Sequence, residues 1–287
     1  MGVLFALSSI VIVQIGAAVS IGFFATIGPA GTAWLRLCWA AVIFVAIARP
    51  RPWALARRDL TAAVVLGVVS AGMTTIFFEA IARIPLGQAV AVEFLGPLTV
   101  AVVRRSGRWG LVWPPLAFAG VLLVTQPWSG HMDVLGVTLA LGAGVCWALY
   151  ILLTQHVGDR FHGVAGLAIS MPAAALAATP LGLAQAAGHL TPLIVVQCAG
   201  LAVLIPVIPY ALELFALRRL HAGAFGTLMS LEPAAATIVG AVALRQIPGW
   251  GQVLGIVCVT VAAMGAAQTG QRAGADAPLP PPVPAQS

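Results

Sequence analysis

Charge is what this chain lacks most. Only 8% of its 287 residues are charged, whereas 61% are hydrophobic. A soluble domain of this size needs a far more polar surface, so a water-soluble fold is excluded. Lysine is absent, and all fourteen basic residues are arginine. The net charge of +6 is no nucleic-acid footprint, because most of those arginines stand in short loops between apolar runs. Charge placed there reports membrane topology. Cys38, Cys146, Cys198 and Cys258 all fall inside apolar runs and read as small packing residues, not as disulfides or metal ligands. His131, His156, His162, His189 and His221 fall at loops or span ends. There is no HExxH, no Cys/His ligand cluster and no Gly-rich phosphate loop, so no enzyme, metal or cofactor is expected. No basic segment precedes the first apolar run, which is long enough to span, so no cleavable signal peptide is expected.

What is present is a succession of apolar runs of about twenty residues, the length of a helix that crosses hydrocarbon. The pattern predicts ten spans, at 3–24, 29–48, 60–81, 86–103, 110–127, 134–156, 164–185, 192–215, 222–243 and 249–268. Loops after even spans hold Arg49, Arg51, Arg57, Arg58, Arg104, Arg105, Arg108, Arg160, Arg218 and Arg219, and loops after odd spans hold only Arg83 and Arg245. That bias predicts even-span loops and both termini in the cytoplasm.

The chain also repeats itself. Residues 77–103 (FFEAIARIPLGQAVAVEFLGPLTVAVV) return, altered, at 210–239. At a shift of 136 residues Ala80 meets Ala216, Arg83 meets Arg219, Gly87 meets Gly223 and Pro97 meets Pro233. Gly2, Ala6 and Leu7 echo Gly136, Ala140 and Leu141. Five spans per half invert the second half relative to the first. The expected fold is therefore an all-α polytopic membrane protein, built as two inverted five-helix repeats over 1–130 and 131–268. Inverted repeats are a frequent plan of secondary transporters, with the substrate site between the halves. A duplication used only for packing is the alternative. Residues 269–287, rich in Gly, Ala and Pro, are expected to form a disordered tail, with PLPPPVP at 278–284 as a possible docking motif.

All four glutamates, Glu79, Glu93, Glu213 and Glu232, lie within predicted spans. An ionised carboxylate in hydrocarbon costs about 3 kcal/mol on insertion scales. Four of them must line a wet cavity, be protonated or be paired, which suits a proton-coupled carrier. Arg36, inside span two, is at a depth to pair with Glu79 or Glu93. A structural Arg36–Glu79 ion pair is the alternative to a functional role. Pro97 removes the helical partner of the Glu93 carbonyl, Pro233 that of Met229, and Pro209 that of Ile205. These three prolines are candidate hinges. Gln14, Ser20, Trp147, Tyr150 and Tyr210 are candidates for a cavity wall, although each residue type more often packs. Gly251 and Gly255 form a GxxxG, a contact face inside the bundle or between protomers.

The segments at 85–103 (PLGQAVAVEFLGPLTVAVV), 139–152 (LALGAGVCWALYIL), 209–220 (PYALELFALRRL) and 225–236 (FGTLMSLEPAAA) resemble the EamA family of the drug/metabolite transporter superfamily. Within it they look most like inner-membrane threonine/homoserine exporters. The resemblance covers all ten spans. It implies a ten-helix inverted-repeat carrier that exports small amino acids, driven by the proton gradient, with a bilayer and a small-molecule substrate as its partners. The matching positions are Gln14, Arg36, Glu79, Glu93, Trp147, Tyr150, Glu213 and Glu232. Two departures alter charge: Arg245-Gln246 stands where relatives often end span nine with Gly-Glu, and Ile21 stands near a Lys of some relatives. A broad-range metabolite or drug exporter is the second expectation. A lipid-facing enzyme or scramblase, or a structural partner using the tail, is a third class. Monomer and homodimer are both open.

Overall fold

The computed structural model describes residues 1–50, 56–103, 112–129, 132–158, 165–217, 219–220 and 222–269. Every regular element among them is helical. The proline tail lies outside the described residues, as do His131, His162 and His221. The helices are α1 (Gly2–Ile27), α2 (Pro29–Ala48), α3 (Arg57–Ile81), α4 (Leu86–Glu93), α5 (Leu95–Val103), α6 (Trp113–Thr125) and α7 (Val134–Gly158). They continue with α8 (Ala165–Ala186), α9 (Pro192–Ala202), α10 (Ile208–Leu217), α11 (Ala222–Met229), α12 (Glu232–Ala243) and α13 (Trp250–Thr269).

Nine helical stretches among the described residues are long and apolar enough to cross a bilayer. They match nine of the ten expected spans. The tenth, α6, has 13 described helical residues, and its expected start at 110 falls outside the described set. The protein is thus a multi-pass helical membrane protein. The surface carries Leu4, Val11, Val19, Val68, Phe118, Leu176, Val242 and Val257 exposed, as lipid-facing walls require.

Three of the expected spans are broken. Span four gives way at Phe94, between α4 and α5, one turn before Pro97. Span nine gives way at Ser230–Leu231, just before Pro233. Under the 136-residue shift, 94 and 230 are the same position. Span eight gives way between α9 and α10, in a wide turn over Val203–Val207 where Ile205 leaves the helical region (φ −140°, ψ 119°). The sequence expects Pro209 to free the Ile205 carbonyl, and the break is centred on Ile205, which also precedes Pro206. A residue before proline is pushed out of the helical region, so Pro206 and Pro209 both act on Ile205. Pro172 and Pro180, by contrast, stay inside an unbroken α8.

Packing is tight because small residues let backbones approach. α2 lies along α8, α3 along α7 and α8, α6 along α13, and α1 along α10. Gly120 of α6 and Gly255 of α13 sit face to face: a Cβ on Gly120 would stand 2.8 Å from the Gly255 oxygen, and one on Gly255 would stand 2.6 Å from the Gly120 oxygen. The Gly251–Gly255 motif therefore serves a contact inside the bundle. The largest core surrounds Phe78, Ile81, Leu86, Val92, Phe94 and Leu98, where α3, α4 and α5 meet. All four cysteines are free.

Candidate functional site

The broken spans carry the carboxylates. Glu93 is the last residue of α4, and Glu232 is the first of α12. Each helix break therefore places one acid where the backbone ladder is interrupted. Glu93 is 7% exposed. Its carbonyl faces Gly144 of α7, where an added Cβ would lie 2.6 Å from that oxygen. The freed backbone of span four is thus sheltered by protein, the condition under which irregular backbone persists at membrane depth.

Glu93 and Glu232 lie within electrostatic reach of each other. Glu232 in turn feels Glu213. Glu213, on α10, accepts a hydrogen bond from Ser9 Oγ of α1 at 2.9 Å. Tyr150 and Tyr210 both lie within the field of Glu213, and Tyr150 shares a hydrogen bond with Thr154. Cys146 lies within the field of Glu93. The order Glu93, Glu232, Glu213 is therefore a string of three acids passing from α4 through α12 to α10. Acids gathered inside the spans mark a functional pathway by default. Trp147 of α7 packs edge-on against Phe94 at the span-four break (5.4 Å, 89°).

The cation is elsewhere. Arg36 is 7% exposed. It does not pair with Glu79 or Glu93. Its Nη2 donates to Thr74 Oγ1 at 3.1 Å, and its guanidinium lies 5.1 Å from the centre of the Phe78 ring. Glu79 is taken by Gln185 of α8, whose Nε2 donates to Glu79 Oε1 at 2.8 Å. The same Gln185 accepts from the Ala30 amide at 2.8 Å through its Oε1, which fixes the α2 N-terminus. Pairing by depth alone missed this competition, because nothing in the sequence announces that Gln185 arrives from the other half.

The remaining sequence candidates separate cleanly. Gln14 is buried with its Oε1 lacking a partner among the described residues. Ser20 donates to the Gly16 carbonyl of its own helix at 2.7 Å, so it is satisfied locally. Tyr210 packs edge-on against Phe44 at 6.1 Å. Two adjoining clefts, of about 130 and 170 Å³, share Pro85, Gln88 and Gln252 at the far end of α4 from Glu93. Gln88 is about a turn and a half along α4 from Glu93. Ser9, Gln185 and Gln246 were not legible as site residues. Gln246 showed only as a departure from the family pattern.

A family model described as "EamA-like transporter family" matches residues 134–267. The threonine/homoserine exporter RhtA of Salmonella typhimurium is 37% identical over 272 residues, covering 94% of this chain and 91% of the relative. The threonine/homoserine exporter RhtA of Escherichia coli K12 is 38% identical over 260 residues, covering 90% and 88%. The chain belongs to the EamA-like transporter family. The family match falls on the second half, and the likeness to the two exporters carries it through the first. A crystal structure 17% identical in sequence superposes with a TM-score of 0.60 over 92% of this chain and 96% of that one, which shows the shared fold. As an EamA-like transporter, the chain is a membrane transporter in which acids at two helix breaks and the buried Arg36 lie inside the spans.

Proposed function

We propose that this protein exports small amino acids of the threonine and homoserine type across the cytoplasmic membrane, driven by protons through alternating access. The carrying observation is the acid string Glu93–Glu232–Glu213 at two broken helices, in a chain alike over nine-tenths of its length to threonine/homoserine exporters. Acids at helix breaks near the middle of a bundle are the groups a carrier uses to load and release protons as its halves move. No cofactor is needed, because the proton gradient supplies the work.

The architecture proposed is ten helices in two inverted repeats with both termini cytoplasmic. The contacts support it. Gly2 lies against Arg219 and Leu220, and Gly136 lies against Arg83 and Ile84, the same pair at the repeat shift. The α1–α10 and α3–α7 packings are equivalent under the same exchange.

The two halves are not equivalent in burial. α4 is buried at every residue but Gln88. In its repeat counterpart α11, none of residues 224–229 is buried. The outer half of span four packs on α12, and Gln246 Oε1 accepts from the Leu86 amide at 2.9 Å. This supports a carrier held shut at the α4–α12 end and looser at the other. On the proposed topology that is an inward-facing state. Substrate enters from the cytoplasm, a proton moves onto or off Glu93 or Glu232, and the α4–α12 contact parts to release it.

The test is uptake of labelled threonine and homoserine into everted membrane vesicles, with and without an acid interior. Gradient-dependent uptake of either amino acid is expected. Uptake of neither, with the protein present in the membrane, overturns the amino-acid assignment. Half-buried aromatics such as Trp147 and Tyr210 would then favour a broad-range exporter, to be found by a substrate screen.

A further inference from the structure

Arg36 is a buried cation with no counter-ion among the described residues. No carboxylate among the described residues comes within its electrostatic reach, and burial alone distinguishes its environment. One of its donors is used, on Thr74 Oγ1. Its Nε is buried with no partner among the described residues, and so is the Oγ1 of Thr75, the residue after Thr74 on α3. The underside of the guanidinium is occupied by the Phe78 ring, which leans on Phe24 of α1 at 5.5 Å. A guanidinium carries five donors in a flat fork shaped for a carboxylate. Left unmatched inside a membrane protein it is expensive, and an intramembrane cation of this kind is by default a candidate functional site.

Of the two acids that the sequence places at its depth, Glu79 is withdrawn by Gln185 and Glu93 belongs to the acid string. The three remaining span acids form their own string, and none of them acts on Arg36. No acid among the described residues is left for Arg36, which points to an anion from outside the chain. Resting on the export proposal above, we infer that Arg36 receives the α-carboxylate of the transported amino acid, against the aromatic floor of Phe78. Protons and substrate carboxylate are then handled by separate groups: the acid string in α4, α12 and α10, and the arginine on α2. Such a split selects molecules bearing a free carboxylate whatever their side chain, and rejects the corresponding amides. A site built around a charged partner discriminates strongly against an analogue that leaves that partner unmatched.

The experiment uses purified full-length protein in proteoliposomes taking up labelled threonine. Unlabelled threonine and unlabelled threonine amide are the competitors. In the wild type, threonine should compete at least about ten-fold better than the amide. Arg36→Met should bring the two within about two-fold of each other. Arg36→Lys keeps the charge but loses the fork, so competition by threonine should weaken while competition by the amide stays unchanged. A purely structural Arg36 would lower the amount of inserted protein without moving the acid-to-amide ratio. A wild type that moves threonine, with Arg36→Met or Arg36→Lys keeping the full wild-type ratio, overturns this inference and leaves the export proposal intact. If Arg36→Met does not insert, the Arg36→Lys result alone decides. A wild type that moves no threonine overturns the export proposal, and this inference falls with it.

Discussion

Gly120 and Gly255 hold each other at backbone distance: each glycine's missing Cβ position lies under 3.0 Å from the other's carbonyl oxygen. The contact is reciprocal, as the proposed two-repeat architecture expects of its last helix in each half. Val124 and Val259, four residues further along each helix, extend it in the same reciprocal sense. Any side chain at either glycine must push α6 and α13 apart. Gly255→Ala or Gly120→Ala should destabilise the protein by about 1–3 kcal/mol, the usual penalty for overpacking. Thermal unfolding in detergent, or the amount inserted in membranes, measures this. Gly249→Ala, at a glycine whose Cβ would meet nothing, is the control and should change neither.

Gly144 shelters the freed carbonyl of Glu93, with 2.6 Å between that oxygen and an added Cβ. Gly144→Ala should therefore shift the break in span four. The predicted outcome is a loss of transport much larger than the loss of inserted protein. Equal losses of both would assign the contact to packing alone. Uptake normalised to membrane-inserted protein gives the comparison.

Gln246 ties the loop after α12 to the first amide of α4. Gln246→Ala removes that hydrogen bond, worth about 1 kcal/mol. If the α4–α12 contact is the outer gate, its opening should become more frequent. Thr237, which faces Gly87 across this contact, gives the readout once replaced by cysteine. Labelling of Thr237→Cys by a membrane-impermeant thiol reagent applied from outside should be several-fold faster with Gln246→Ala. An unchanged labelling rate removes Gln246 from the gate.

Much of this was legible in the sequence, for physical reasons that can be named. Spans follow from apolar length, so nine described helices appear where hydropathy placed them. The breaks beside Pro97 and Pro233 follow from a missing amide donor, a local rule that needs no tertiary knowledge. The break in span eight falls at Ile205, whose carbonyl Pro209 frees and which Pro206 follows, so the same local rules reach it. Side-chain partners were the illegible part. Depth placed Arg36 beside Glu79, but Gln185 from α8 reaches Glu79 first. Helix rotation and contacts between the two halves decide such pairs, and neither leaves a mark on one sequence. Ser9 was missed for the same reason: a serine in an apolar helix looks like packing until Glu213 is found opposite it.

The acid string carries the central claim. Glu93→Gln and Glu232→Gln keep shape and remove the titrating group, so each should insert and fold like the wild type. The most direct measurement is proton-gradient-driven uptake of labelled homoserine into everted vesicles, for the wild type and both variants, normalised to inserted protein. The account predicts gradient-dependent uptake in the wild type, and at least about a ten-fold loss in one or both variants, a typical effect of removing a proton-transferring group. Wild-type uptake that persists at full rate and full gradient dependence in both variants would contradict it.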